Sequence, residues 1–288
     1  MTRDDWLVEG GRAWCPGCGN HRVLGALAEA LARLGLDHRQ VVVVSGIGQA
    51  GKMPHYLKVN FLHGLHGRTL AMALGVKLAN PQLTVIAVGG DGDLYGEGGN
   101  HLVHAFRRNP DICCLAHNNG VYGLTRGQAS PTAGSGFRDG IHPGGTFVPA
   151  FNPLAAGIAC DGTFLARGFA GAEEQLAGLV VEAVRHPGFG FVDILQPCVS
   201  YNRVNTSKWY ADRLYDLAVE EHDPADPRQA MARVLEWPGA QDRRIPTGVF
   251  LRVRREPYER GFAALGKGAL GRGAVDPDRF LETVEELR

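Results

Sequence analysis

Residues 89–128 read GGDGDLYGEGGNHLVHAFRRNPDICCLAHNNGVYGLTRGQ, and the reading of this stretch decides the fold. An apolar run, Leu83–Val88, leads into Gly-Asp-Gly; a helical segment follows, then a second apolar run, Ile112–Ala116, which closes on Asn118-Asn119-Gly120. Two short apolar runs joined by a helix predict neighbouring parallel strands, and ligands of such sheets bind beyond the carboxyl ends of the strands. Asp91 stands there between glycines, which allow a tight turn and a close approach to a bulky anion. Asn119 offers an amide oxygen at the next strand end, and Val121 a backbone carbonyl just beyond. Mg²⁺ prefers oxygen ligands completed by phosphate, so the set describes a diphosphate held through a metal.

Other readings of these glycines compete. As an EF-hand loop, DGDLYG would need an acid or amide where Tyr95 stands and a bidentate Glu where Leu102 stands, which rejects calcium. An ordinary Gly-rich turn explains GDG alone, but not Asn118-Asn119 after 25 residues that fit one helix and one strand. Gly46-x-Gly48-x-x-Gly51, after the strand Val41–Ser45, imitates a dinucleotide fingerprint. That motif expects a clean helix and an acid about twenty residues on; Pro54 interrupts, and residues 52–90 hold no Asp or Glu.

The chain has 288 residues, 44% hydrophobic and 21% charged, which suits one large globular domain or one with an extension. Thirty basic and thirty acidic residues cancel, so no overall field recruits nucleic acid or an anionic membrane. MTRDDWLVEGGR lacks an apolar signal region and no run approaches a membrane span, so the expected location is cytoplasmic. Six cysteines make no disulfide scaffold at this size. Cys113, Cys114 and Cys160 read as core. Cys15 and Cys18, in WCPGCGNH before a helix at His21–Leu34, and Cys198 are the informative set, open to redox, zinc or iron–sulfur readings.

GDG followed at this spacing by NN is the thiamine diphosphate signature. The longer strings GDGD, GGNHLVHAFRRNPD and NNGVYGLTRGQASPT resemble the beta subunit of the 2-oxoacid:ferredoxin oxidoreductases of the pyruvate/2-oxoglutarate synthase type. The resemblance covers nearly all of residues 12–205 and, more loosely, continues to about 258. It implies the diphosphate-binding half of a thiamine diphosphate fold, an α/β parallel sheet flanked by helices on both faces. Asp91, Asn119 and Val121 would ligate Mg²⁺. Ile47, Gly48, Gln49, His66, Gly67, Arg68, Gly90, Gly92, Asp93, Asn118, Gly123 and Leu124 would contact the cofactor. His66 would serve an oxyanion or relay a proton. Lys52 would meet the 2-oxoacid carboxylate, and Arg126, where the family has a lysine, would meet coenzyme A.

The resemblance also implies that Cys15, Cys18 and Cys198 hold a [4Fe–4S] cluster. Its fourth cysteine belongs in a string like SGIGC, but this chain reads SGIGQAGK. Gln49 is a poor substitute for a thiolate, so the cluster is held by three cysteines and something else, or is altered or absent. The implied reaction is coenzyme A-dependent oxidative decarboxylation of a 2-oxoacid, with electrons passed to an iron–sulfur acceptor, ferredoxin in the family. A pyrimidine-binding half is not legible in the sequence. It is expected on an alpha subunit, in a heterodimer or a dimer of heterodimers, with this chain inactive alone. A non-oxidative thiamine diphosphate decarboxylase or carboligase, which needs no cluster, and a non-catalytic binding subunit remain open.

Elsewhere, Thr69–Asn80 reads as a helix, residues 126–151 as a substrate-gating loop or surface excursion, Asn152-Pro153 as the cap of a helix, Thr163–Ala166 as a strand, Glu173–His186 as a helix and Phe189–Gln196 as a buried strand. Residues 1–205 form the expected cofactor-binding domain with the CxxC segment. Residues 206–288 form a C-terminal extension expected to contact a partner, with charged helices near 206–220 and 227–236, the strand IPTGVFLRV, and a tail containing GKGALGRGAVDP and a short acidic helix.

Overall fold

The computed structural model describes residues 1–238, 244–270 and 277–286. Its centre is an eight-stranded sheet: β1 (Val41–Ser45), β2 (Asn60–His63), β3 (Thr84–Gly90), β4 (Cys113–Asn118), β7 (Phe164–Phe169), β8 (Gly190–Leu195), β9 (Leu214–Asp216) and β10 (Ile245–Arg252). The spatial order is β2-β1-β3-β4-β8-β7-β10-β9. Two further strands, β5 (Val121–Tyr122) and β6 (Gln128–Ala129), form a small separate ribbon just after β4.

Every strand from β2 through β7 in that order runs parallel to its neighbour. Both faces are covered, which is why the runs are apolar throughout rather than alternating. Ile86, Val88, Cys113 and Leu115 enter one core with α1 (Asn20–Leu34) and α5 (Glu173–Arg185). Val85, Ala87, Cys114 and Ala116 enter the other with α2 (Thr69–Ala79), α3 (Gly99–Arg108) and α4 (Pro153–Ala159). Asn152 caps α4, its side chain accepting from Ala155 N. Cys160 is half-buried against the second core.

Three elements depart from the sequence reading. The stretch at 60–63 is an edge strand, with exposed side chains that gave no apolar signal. The segment 206–220 is not one charged helix: it holds α6 (Ser207–Ala211), β9 and a short 3₁₀ turn (Leu217–Val219). β10 runs antiparallel to β7, so the sheet is not wholly parallel. The physical reason is shared burial: Tyr215, Leu217, Phe250 and Leu251, with Ala230 and Val234 of α7 (Pro227–Val234), join the core of the main sheet. The strands after residue 205 therefore continue the sheet. The acidic helix is present as α8 (Pro277–Glu286), with no buried residue; part of GKGALGRGAVDP, residues 271–276, lies outside the described residues.

Candidate functional site

The first turn after β3, Gly92–Glu97, is π-helical, a geometry enriched at functional sites, and α3 takes over from Gly99. Asp91 caps it, with Oδ1 accepting from Gly92 N at 3.0 Å. Its other oxygen, Oδ2, accepts from Gly120 N at 2.8 Å and faces the hydroxyls of Ser130 and Thr132, each at 2.6 Å. Burial pushes the Asp91 carboxyl up, and these donors, Ser130 first, oppose that. Asp93, two residues on, turns the opposite way. Its oxygens accept from Ile47 N at 3.2 Å, Gly67 N at 2.8 Å and Thr69 Oγ1 at 2.7 Å, pinning the turn after β1 to the start of α2.

The space between these turns is an open cleft of about 470 Å³, lined by Ile47, Gly48, Gln49, Ala50, His66, Gly90, Asp91, Gly92, Asp93, Asn119, Val121, Tyr122, Gly123, Leu124 and Thr125. The three residues expected to hold a divalent cation, Asp91, Asn119 and Val121, thus line one cleft. Asn119 Oδ1 accepts from Val121 N at 2.9 Å, and a second lone pair is left over. A Cβ at Gly90 would meet only His117 O, at 3.9 Å, so the wall is cut back where a bulky group needs room. At Gly67, with φ of +70°, a Cβ would lie 2.5 Å from the Glu97 backbone, so only glycine fits between His66 and that turn. His66 Nδ1 lies 3.2 Å from Glu97 Oε2, outside hydrogen-bond geometry, and 3.6 Å from Asp93 Oδ1. Tyr122 OH donates to Glu97 at 3.3 Å; burial, then that carboxylate, raises its pKa.

Two models of known families cover most of the chain. "Thiamine pyrophosphate enzyme, C-terminal TPP binding domain" matches residues 46–194, and the model of the C-terminal part of the pyruvate ferredoxin oxidoreductase beta subunit matches 198–267. A Sulfolobus 2-oxoacid:ferredoxin oxidoreductase subunit beta is 44% identical over 259 residues, 85% of this chain and 84% of the relative. The chain belongs to the 2-oxoacid:ferredoxin oxidoreductase beta-subunit family. Subunit beta of the 2-oxoacid:ferredoxin oxidoreductase 1 of Aeropyrum pernix is 44% identical over 257 residues, 87% of this chain and 81% of the relative. Among solved structures, the 2-oxoglutarate:ferredoxin oxidoreductase from Magnetococcus marinus, with 2-oxoglutarate, coenzyme A and succinyl-CoA bound, superposes with a TM-score of 0.90 at 32% identity, covering 98% of this chain and 96% of that one.

Not every expected residue of this beta-subunit relative reaches the cleft. Asn118 does not line it. Its Nδ2 donates to Asp193 at 3.0 Å and its Oδ1 accepts from Thr132 Oγ1 at 2.7 Å. Gly67 and the exposed Arg68 form its outer turn, with Arg68 donating to Gly67 O at 3.2 Å. Lys52, half-buried in the 3₁₀ segment Ala50–Tyr56, and Arg126, exposed at φ of +81°, stand outside it. Neither has an ion-pair partner among the described residues. Ala50, Tyr122 and Thr125 line the cleft without having been singled out, and Ser130 and Thr132 hold Asp91 from a loop read only by its composition.

The thiols gather elsewhere on the same side. Cys15 Sγ accepts from Ser200 Oγ at 3.2 Å, and Cys18 Sγ lies 3.6 Å from Gln196 Nε2. The CPGCG loop thus packs on the segment that carries Cys198. Burial raises the Cys18 thiol, and the charges of Cys198 and Cys15 add to that rise. Among the described residues no three metal-ligating side chains enclose a single ion, but a cubane cluster spreads its thiolates more widely. Gln49 is tied to this loop by Trp14 Nε1, which donates to Gln49 O at 2.8 Å, while its Oε1 is buried without a partner. The donor set fits a cluster through three thiolates and supplies no fourth.

Proposed function

We propose that this chain is the thiamine diphosphate- and Mg²⁺-binding subunit of an oxidoreductase that decarboxylates a 2-oxoacid oxidatively, forming an acyl-coenzyme A. The observation that carries this reading is the convergence of the Asp91 carboxylate, the Asn119 amide and the Val121 segment at one cleft between the ends of β3 and β4. Asp91 Oδ1, Asn119 Oδ1 and Val121 O would ligate the cation, leaving its remaining positions to the diphosphate. The cut-back walls at Gly48, Gly90 and Gly123 leave room for the cofactor, whose bound thiazolium supplies the nucleophilic carbon and the electron sink.

The chain's own groups divide the rest. His66, at the cleft wall beside the Glu97 carboxylate, is placed to hold or move a proton at its ring nitrogens. Lys52 and Arg126, cations without an ion-pair partner among the described residues, suit the 2-oxoacid carboxylate and a coenzyme A phosphate respectively. Cys15, Cys18 and Cys198 hold an iron–sulfur cluster that carries electrons out, to a ferredoxin in the cytoplasm. Among the described residues no helix is long and apolar enough to cross a membrane. An alpha subunit brings the pyrimidine-binding domain, in a heterodimer or a dimer of heterodimers, and the C-terminal extension, residues 206–288, contacts that partner. Calorimetry of the co-purified complex with thiamine diphosphate and Mg²⁺, followed by dye reduction with pyruvate, 2-oxoglutarate and branched 2-oxoacids, tests the proposal. Cofactor uptake with coenzyme A-dependent turnover is expected; no uptake by the assembled complex ends it.

A further inference from the structure

The Asp91 carboxylate is buried, 1% exposed, and both of its oxygens are engaged, but unequally. Oδ1 accepts from a single backbone N–H, that of Gly92, and keeps a lone pair for a cation. Oδ2 is surrounded by Gly120 N and two hydroxyls from the segment Ser130-Pro131-Thr132. Those hydroxyls are buried and touch each other, Ser130 Oγ standing 3.1 Å from Thr132 Oγ1. Thr132 has one proton for two acceptors, Asp91 Oδ2 and Asn118 Oδ1, while Ser130 can satisfy the carboxylate. Asn118 in turn donates to Asp193, which also accepts from Tyr95 OH at 2.9 Å and from Arg167 Nε at 3.2 Å. The carboxylate beside the cleft is thereby tied to a fully buried ion pair between the neighbouring strands β7 and β8.

From this geometry we infer that Ser130 and Thr132 are positioning residues for the cation: they saturate Oδ2 and so present Oδ1 of Asp91 to it. Neither hydroxyl lines the cleft, so neither acts on substrate directly. The inference rests on the thiamine diphosphate reading above. Partners that orient a metal ligand in this way change metal affinity when removed, by about 10- to 100-fold.

The test measures thiamine diphosphate uptake by the complex with its alpha subunit, by calorimetry across a magnesium titration, for the wild type and Ser130→Ala, Thr132→Ala and Thr132→Ser. The expected result is a magnesium demand for half-maximal uptake about tenfold higher in both alanine variants. The defect should vanish at saturating magnesium, and Thr132→Ser should behave as the wild type. A demand within twofold of the wild type overturns the inference. So does a defect that persists at every magnesium concentration or is shared by Thr132→Ser, since a loop held merely for folding gives those results. If the wild-type complex takes up no cofactor at all, it is the proposed function that fails.

Discussion

Asp91 and Asp93 show how one strand end serves two neighbours. They are two residues apart in a π-helical turn, so one carboxylate reaches the loop after β4 and the other the turns before α2. Asp91→Asn is expected to weaken magnesium-dependent thiamine diphosphate uptake by about two orders of magnitude, beyond the loss of any outer partner; calorimetry on the assembled complex reads it, and uptake within threefold of the wild type would refute the assignment. Gly90→Ala separates fold from site: the added Cβ meets little protein, so the melting temperature should hold while uptake falls. Buried His117, whose Nδ1 lies 2.8 Å from Asn20 Oδ1, has its pKa pushed down to about 4 by desolvation. Its unfolded value lies near ~6.5, so between those values the unfolded chain holds a proton that the folded one lacks. Stability should thus be full above about pH 6.5 and decline as pH falls toward 4. Denaturant midpoints at pH 7.5 and 5 measure this, and His117→Gln should flatten the slope.

At the scale of elements, what was legible followed burial. β1, β3, β4 and β8 are covered on both faces, and their runs of Val, Ile, Leu and Cys announced them; the glycines and asparagines at their ends marked the cleft. The edge strand β2, with exposed side chains, had no such signature. β9 was obscured for another reason: its apolar residues are completed by a core built from distant sequence, and charged neighbours such as Arg213 and Asp216 imitated a helix, whereas β10 was legible as a strand but not its antiparallel place in the sheet. Ser130 and Thr132 lay in a segment read as a substrate-gating loop or surface excursion, and their role was not legible because a hydroxyl's partner is set by tertiary contact. Phe250→Ala probes the shared core. With the side chain fully buried and packed under Arg167, the cost should be about 3–5 kcal/mol in denaturant unfolding. A cost below ~1 kcal/mol would mean that the strands after residue 205 are dispensable to the fold.

Across the whole molecule, large apolar side chains are exposed on the loops that follow the strands' carboxyl ends. Leu65 follows β2, Leu124 follows β5, Ile141, Phe147 and Val148 follow β6, and Val204 follows β8. Phe147 is 85% exposed. Apolar surface placed around a half-built site suits a partner that completes it. Phe147→Asp is therefore expected to weaken association with the alpha chain at least about tenfold, the scale of a buried aromatic anchor, without lowering the melting temperature of the isolated chain. Sedimentation of mixed subunits measures it, and unchanged association would locate the contact elsewhere.

The strand register gives the doubled asparagine its meaning. Gly90 pairs with His117, so Asn118 and Asn119 extend past the last rung of the β3–β4 ladder, Asn118 toward Asp193 and Thr132 and Asn119 toward the cleft. One amide is bound to Asp193 and Thr132 and the other lines the cleft; chemically identical, they are not spares for each other. Removing any single residue between Cys113 and His117 would shift the register by one, turning Asn118 away from Asp193 and Thr132 and bringing Gly120 to the place of Asn119.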